Sequence, residues 1–236
     1  MSESTPTNQK YKFRLLPLDP KSPEDMLQAA QLAEAAFDSE NSLFQRTYLV
    51  DPYPSPEERK KGTVKRLTYG LGKGKVAFKA VVDDPENETG KDGDMAGFSI
   101  WQPPGTGYRV FESTDREKLT DEEKEVYEQV DLDGWNTLFG NMQKSRERLH
   151  GGKDHWYLEV LAIHPIYQRQ GLGNTLLSTQ LSSLPADQAV QLESTPAGQG
   201  LYRKFGFEVV DTLKVVGRGG KGLDIPVMVK KPSKTG

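Results

Sequence analysis

The sequence predicts an α/β (α+β) chain, a β-sheet flanked by helices, and three observations carry that prediction. Apolar runs of strand length alternate with amphipathic helical stretches along the 236 residues. Tyr157-Leu-Glu-Val-Leu-Ala-Ile163 reads as a buried strand that turns at His164-Pro165 and enters a glycine-bearing loop opening into a helix. A second strand, Ala189-Val-Gln-Leu-Glu193, passes through Ser194-Thr-Pro-Ala-Gly198 into Gly200-Leu-Tyr-Arg-Lys-Phe-Gly-Phe207.

Residues 1–9 are expected to form a disordered tail, and residues 10–232 a single domain with an insertion over 102–154. Tyr11–Leu16 alternates in polarity and predicts the first strand. Ser22-Pro-Glu-Asp25 is a helix start, with an N-cap serine, proline at the first position and acids in the first turn. Met26, Ala30, Ala33 and Phe37 then share one face. A second helix is expected over Glu57–Tyr69, and Val76–Val82 and Met95–Trp101 pair as a hairpin. The stretch between Trp101 and Trp156 is roughly 50 residues, long against usual connections of about 4–6. It holds a capped acidic helix from Thr120 and a second helix over Trp135–Leu149, and reads either as a cap over a pocket or as a packing appendage. Glu208–Val216 and Leu223–Lys230 close the chain as a hairpin.

Composition excludes several classes. A net charge of −3 argues against nucleic acid or an acidic membrane surface as the main partner. No apolar run approaches the roughly 20 residues of a membrane span. The first residues lack the basic and apolar regions of a signal peptide, so a cytoplasmic location is expected. The chain has no cysteine, which removes disulfides, thiolate metal ligands and a thiol nucleophile. Three scattered histidines do not make a metal site, and no metal is expected. His164 reads as a turn cap, while His150 and His155 could line an acceptor pocket.

A strand, a glycine loop and a helix start present free backbone N–H groups to an anion, and the loop Gln168-Arg-Gln-Gly-Leu-Gly173 is suited to a pyrophosphate. It is not a P-loop, since Gly171 lacks the following lysine. Neither is it a dinucleotide fingerprint, because position 176 is leucine.

What fits is Q-x-x-G-x-G at Gln168, Gly171 and Gly173, which resembles the acetyl-CoA signature of the GNAT acyltransferase superfamily. About 30 residues further on, Leu201-Tyr-Arg-Lys-Phe-Gly-Phe207 is similar to the L-Y-x-x-x-G-F motif that closes the core of that family. The resemblance is clear over residues 156–210. It implies the GNAT fold: a central mixed, mostly antiparallel twisted sheet of six to seven strands, splayed between strands 4 and 5, with the helical insertion between strands 3 and 4. It also implies acetyl-CoA as cosubstrate. The backbone of Leu161, Ala162 and Ile163 would meet the pantetheine arm and the acetyl carbonyl. Gln168, Arg169, Gln170, Gly171, Leu172, Gly173, Asn174 and Thr175 would hold the pyrophosphate, with Arg169 at the rim. Tyr202 would sit beside the thioester sulfur and act as general acid. Glu193 and Glu159 compete as general base, since both are carboxylates among apolar residues.

Phe44, Tyr48, Trp101 and Trp135, with Tyr53 and Tyr108, are candidates to line the acceptor pocket. Trp156–Pro165 and Glu193–Gly198 also resemble a broad microbial and fungal group that includes antibiotic and small-amine N-acetyltransferases. The function expected is direct acetyl transfer to a primary amine of a small molecule, by a monomer or homodimer without nucleic acid or membrane partners. A protein or peptide N-acetyltransferase and a non-catalytic acyl-CoA sensor are the alternatives.

Overall fold

The computed structural model describes residues 12–37, 45–83, 93–216 and 222–233. Phe44, the 1–9 tail and the Gly217–Lys221 part of the last hairpin lie outside these. Among the described residues, seven strands form one sheet in the order β1-β2-β3-β4-β5-β7-β6. These are β1 (Lys12–Pro17), β2 (Val76–Asp83), β3 (Met95–Gln102), β4 (His155–Ile163), β5 (Ala189–Glu193), β6 (Phe207–Val216) and β7 (Gly222–Lys230). Every neighbouring pair is antiparallel except β4 and β5. The helices are α1 (Pro23–Ala36), α2 (Pro56–Leu71), α3 (Asp121–Val126), α4 (Leu132–His150), α5 (Leu172–Ser183) and α6 (Gln199–Lys204).

The helix starts follow from their caps. Ser22 accepts from the Asp25 amide at 3.2 Å, and Ser55 and Glu58 close a reciprocal capping box before α2. The expected α1 face is the packed one: Met26 and Ala30 are buried, with Ala33 and Phe37 against the same cluster or beside it. The β3 strand is buried along its whole length, because helices and strands cover it on both faces.

Two irregularities position the site. Parallel pairing of β4 with β5 runs only from His155↔Ala189 to Leu158↔Leu192. Beyond Leu158 the strands part, and the rest of β4 has β3 alone as its neighbour. The β5-facing backbone groups of that half are therefore not paired in the sheet. The second irregularity is a bulge, since Ile100 pairs with Val160 and Trp101 with Leu158, leaving Glu159 as the extra residue.

The insertion builds a core of its own. Phe111, Leu119, Val126, Tyr127, Val130, Trp135, Leu138, Phe139 and Met142 pack with Tyr48 and Leu49 from before α2 and with Val215 and Ile225 from the β6–β7 hairpin. Trp135 and Phe139 rings lie 4.0 Å apart, and Tyr48 meets both edge-on. The insertion is thus clamped to the end of the sheet where β4 and β5 diverge.

Candidate active site

A cleft of ≈ 1560 Å³ runs along this fork. One end is bordered by the glycine loop and the unpaired half of β4. The other is bordered by the insertion, α2 and the helical residues 45–48.

At the glycine-loop end, Gly171 is the N-cap of α5 with φ +83°, a left-handed conformation that favours glycine. Arg169, also at positive φ, lies exposed at the loop's outer edge. Gln168 donates from Nε2 to the Ile163 carbonyl at 3.1 Å, tying the loop to the end of β4. The amides of Leu172, Gly173 and Asn174 fall in the first helical turn, where no intrahelical acceptor exists. Gln168, Arg169, Gly171, Gly173 and Asn174 border the cleft, as do Leu161, Ala162 and Ile163. Gln170, Leu172 and Thr175 do not. Leu172 is a core residue packed with Tyr167 and Leu176, so it has only its backbone to offer. The open left-handed Gly171, the unpartnered helix start and the unpaired strand edge together fit an extended phosphate-bearing ligand such as acetyl-CoA.

Tyr202 projects from α6 into the same cleft, its ring 5.9 Å from Phe207. Among the described residues its hydroxyl has no hydrogen-bond partner. Burial holds its pKa above the ordinary phenol value, so it stays protonated at neutral pH.

Glu193 ends β5 one residue past the last parallel pair. It accepts from the Tyr157 hydroxyl through Oε2 and from Gln191 Nε2 at 3.0 Å through Oε1. Tyr157 in turn lies 3.0 Å, hydroxyl to hydroxyl, from Tyr108 of the insertion. Burial raises the Glu193 pKa, outweighing the hydrogen bonds from Tyr157 and Gln191 and the nearby Arg146 charge, all of which lower it. Burial and then the Glu193 charge push the Tyr157 phenol well above its usual value. Glu159 is differently engaged: it pairs with Lys75 at 2.6 Å and accepts from Gln102 Nε2 at 2.8 Å. The two carboxylates flank the fork, one held by a lysine and the other by neutral donors.

Of the aromatic candidates, Tyr48 and Trp135 border the cleft, and Trp135 Nε1 donates to the Arg109 carbonyl at 2.6 Å. Trp101 does not border it. The Trp101 side chain is fully buried among Leu158, Leu177, Val190 and Phe207, because strand alternation puts it on the face of β3 opposite Phe98, which does border the cleft, and its Nε1 is spent on Ser99 at 3.1 Å. Trp101→Ala should therefore act on stability, lowering it by about 3–5 kcal/mol as a core truncation. Chemical denaturation checks this, and a variant that melts like the wild type would return Trp101 to the list of ligand contacts.

The histidines also depart from the acceptor-side expectation. His150 and His155 stack at 3.9 Å and do not border the cleft. Burial, then the neighbouring His155, pushes His150 down to about 4. Arg146 Nε donates to His155 Nε2 at 3.1 Å, so the proton of neutral His155 sits on Nδ1, which donates to the Lys153 carbonyl at 2.9 Å. His164 caps its turn, Nδ1 accepting from the Ile166 amide at 3.4 Å. Among the described residues no group of three or more histidines, aspartates or glutamates could hold a metal ion, and no helix is long and apolar enough to cross a membrane.

Tyr157, Gln191, Gln102, Lys75 and Arg146 belong to the site without having been singled out from sequence. Polar residues at alternate positions of apolar strands, Tyr157 with Glu159 and Gln191 with Glu193, were the available signal.

Residues 117–223 match the family model of the acetyltransferase (GNAT) domain. No curated protein sequence matches the chain. Among solved structures, one described as histone acetyltransferase HPA2 and related acetyltransferase from Corynebacterium glutamicum superposes with a TM-score of 0.55 at 18% identity, over 94% of this chain and 97% of that one. The polyamine N-acetyltransferase of Drosophila melanogaster gives 0.53 at 14% identity, over 92% and 99%. The ribosomal-protein-S18-alanine N-acetyltransferase of Escherichia coli gives 0.50 at 18% identity, over 95% and 97%. At these identities the likeness is one of fold. The matched segment is thus a GNAT acetyltransferase domain, and the fold of the described residues is like that of these acetyltransferase structures. The domain matched over residues 117–223 is of the N-acetyltransferase type, and the family of that domain uses acetyl-CoA as cosubstrate.

Proposed function

We propose that this protein moves the acetyl group of acetyl-CoA directly to a primary amine of a small molecule within a ternary complex. The observation that carries the reading is the single cleft joining the glycine loop and Tyr202 to Glu193, with an aromatic wall beyond. Acetyl-CoA supplies an activated thioester. The helix-start amides of α5 and Arg169 bind its pyrophosphate, and the free edge of β4 at Leu161–Ile163 aligns the chain that follows. Glu193, directly or through the Tyr157 hydroxyl, takes the proton of the acceptor ammonium, leaving a neutral nucleophile. Glu159 is the weaker candidate because its charge is already committed to Lys75. Backbone N–H groups at the splayed end of β4 polarise the carbonyl as it gains charge. As the C–N bond forms and the C–S bond breaks, Tyr202 gives its proton to the departing sulfur, and the second proton, lost by the newly acylated nitrogen, passes through water to restore it.

The small-molecule preference rests on Tyr48, Trp135 and Phe139, with which the insertion and the helical residues 45–48 wall the acceptor end. An open groove for a protein terminus would lack such a wall. The structural neighbours include protein and small-amine acetyltransferases, so they do not decide between the two. Thiol release from acetyl-CoA should be measured against a panel of small amines, aminoglycosides and peptides. Turnover with small amines and none with peptides is expected, and the reverse would replace this reading with the protein-directed one. No turnover with any amine, despite acetyl-CoA binding, would indicate a sensor. Intact-mass measurement with acetyl-CoA alone should show no stable acetyl adduct, since the chain has no cysteine to carry one.

A further inference from the structure

Arg146 lies on α4, inside the insertion, and only 2% of it is exposed. Among the described residues no carboxylate pairs with it. Its Nη1 donates to Gln102 Oε1, its Nη2 to the Thr106 carbonyl at 3.2 Å and its Nε to His155. It also lies over the Tyr157 ring, with the guanidinium carbon 4.5 Å from the centroid. A buried cation with neutral partners is expensive unless an opposite charge lies close by. Glu193 supplies one: the Tyr157 hydroxyl donates to it, and it lies near enough to feel the Arg146 charge.

We propose that Arg146 is the positioning residue that holds Glu193 as a carboxylate and aims Tyr157 at it. The guanidinium fixes the ring by stacking while its hydrogen bonds anchor it to the insertion and to β3. Gln102 faces both ways: it accepts from Arg146 and donates to Glu159, so one cation is coupled to both carboxylates of the fork. The other ionisable groups around Glu193 do not supply this charge. Tyr108 and Tyr157 are neutral, Lys75 is paired with Glu159, Asp224 of β7 is an acid, and His150 and His155 are held neutral behind Arg146. The insertion therefore contributes to the acid–base chemistry as well as to the pocket wall. This inference rests on Glu193 being the base of the proposed reaction, but its test needs no substrate.

The test is a carboxyl titration of protein labelled with ¹³C-glutamate, the Glu193 signal being identified by its loss in Glu193→Gln. In Arg146→Met, which keeps bulk and removes charge, the Glu193 midpoint should rise by about one pH unit. The acid limb of kcat/KM should follow it, a roughly tenfold loss at pH values below the limb, while acetyl-CoA binding is unchanged. An unmoved midpoint in a folded Met variant overturns the proposal. If that variant does not fold, Arg146→Lys decides, since it keeps the charge and loses the planar hydrogen-bonding fork. A midpoint near the wild-type value despite a lowered melting temperature supports the proposal. A midpoint displaced as far as total loss of the charge would move it makes Arg146 a mere strut. Absence of wild-type turnover would overturn the functional reading and leave this titration standing as its own result.

Discussion

Gly171→Val is expected to abolish the rise in melting temperature that acetyl-CoA gives the wild-type protein. The cause is the backbone, because a Cβ at Gly171 would meet nothing within 4 Å. At φ +83° a β-branched residue is strained by about 1–3 kcal/mol, and the loop relieves that strain by rotating away. The amides of Leu172, Gly173 and Asn174 then no longer converge on one anion. Ligand at about 100 times its Kd stabilises a protein by about 2.7 kcal/mol, and this increment should vanish while the free protein still folds. Gly173→Ala makes a graded companion, since its Cβ would lie 3.2 Å from Leu201 Cδ2, a contact a flexible side chain can relieve. An undiminished thermal shift in Gly171→Val would falsify the assignment of this loop to the pyrophosphate.

Tyr202→Phe should lower kcat by roughly 10²–10⁴-fold with acetyl-CoA affinity nearly unchanged. The phenylalanine keeps the packing against Phe207, and the lost hydroxyl bonds to no described protein group, so stability should hardly move. The sign of the pH dependence follows from burial, which raises the phenol above its ordinary value of 10.0. It stays protonated through the working range, so the defect should be of similar size at every pH tested below that value. Rates are best compared with a poor acceptor, which makes chemistry limiting. If the variant then turns over like the wild type, Tyr202 is a packing residue and water protonates the thiolate.

Much of this architecture is readable from local chemistry. The Ser22 and Ser55 caps, the Gly171 turn and the strand-to-helix order around Gln168 and Tyr202 are contacts between residues close in sequence, which propensity and spacing reach. The bulge at Glu159 is set by register against β3, and which face of β3 borders the cleft, Phe98's and not Trp101's, is set by the elements packed on each side. No pattern within either strand announces the bulge or tells which face lines the cleft. Arg146 was hidden for a related reason. A basic residue late in a helix reads as a solvated complement to the helix dipole. Yet Leu138, Met142 and Arg146 recur at i, i+4 and i+8 on one face, and both side chains ahead of Arg146 are buried. Its main partner, Gln102, is 44 residues away in sequence. The site's electrostatics are long-range where its folding signals are local.

The account turns on Glu193 as the group that deprotonates the acceptor. The direct measurement is kcat/KM against pH for the wild type and Glu193→Gln, using the best amine from the panel. Burial raises this carboxyl above its ordinary 4.5, so the wild-type rate should climb with pH through a limb displaced upward from the usual carboxylate range and fall away below it. In Glu193→Gln that limb should disappear, with kcat lower by roughly 10²–10⁴-fold and acetyl-CoA binding intact. A Gln variant that keeps both the wild-type rate and the wild-type limb would contradict the account and hand the proton to Glu159 or to water.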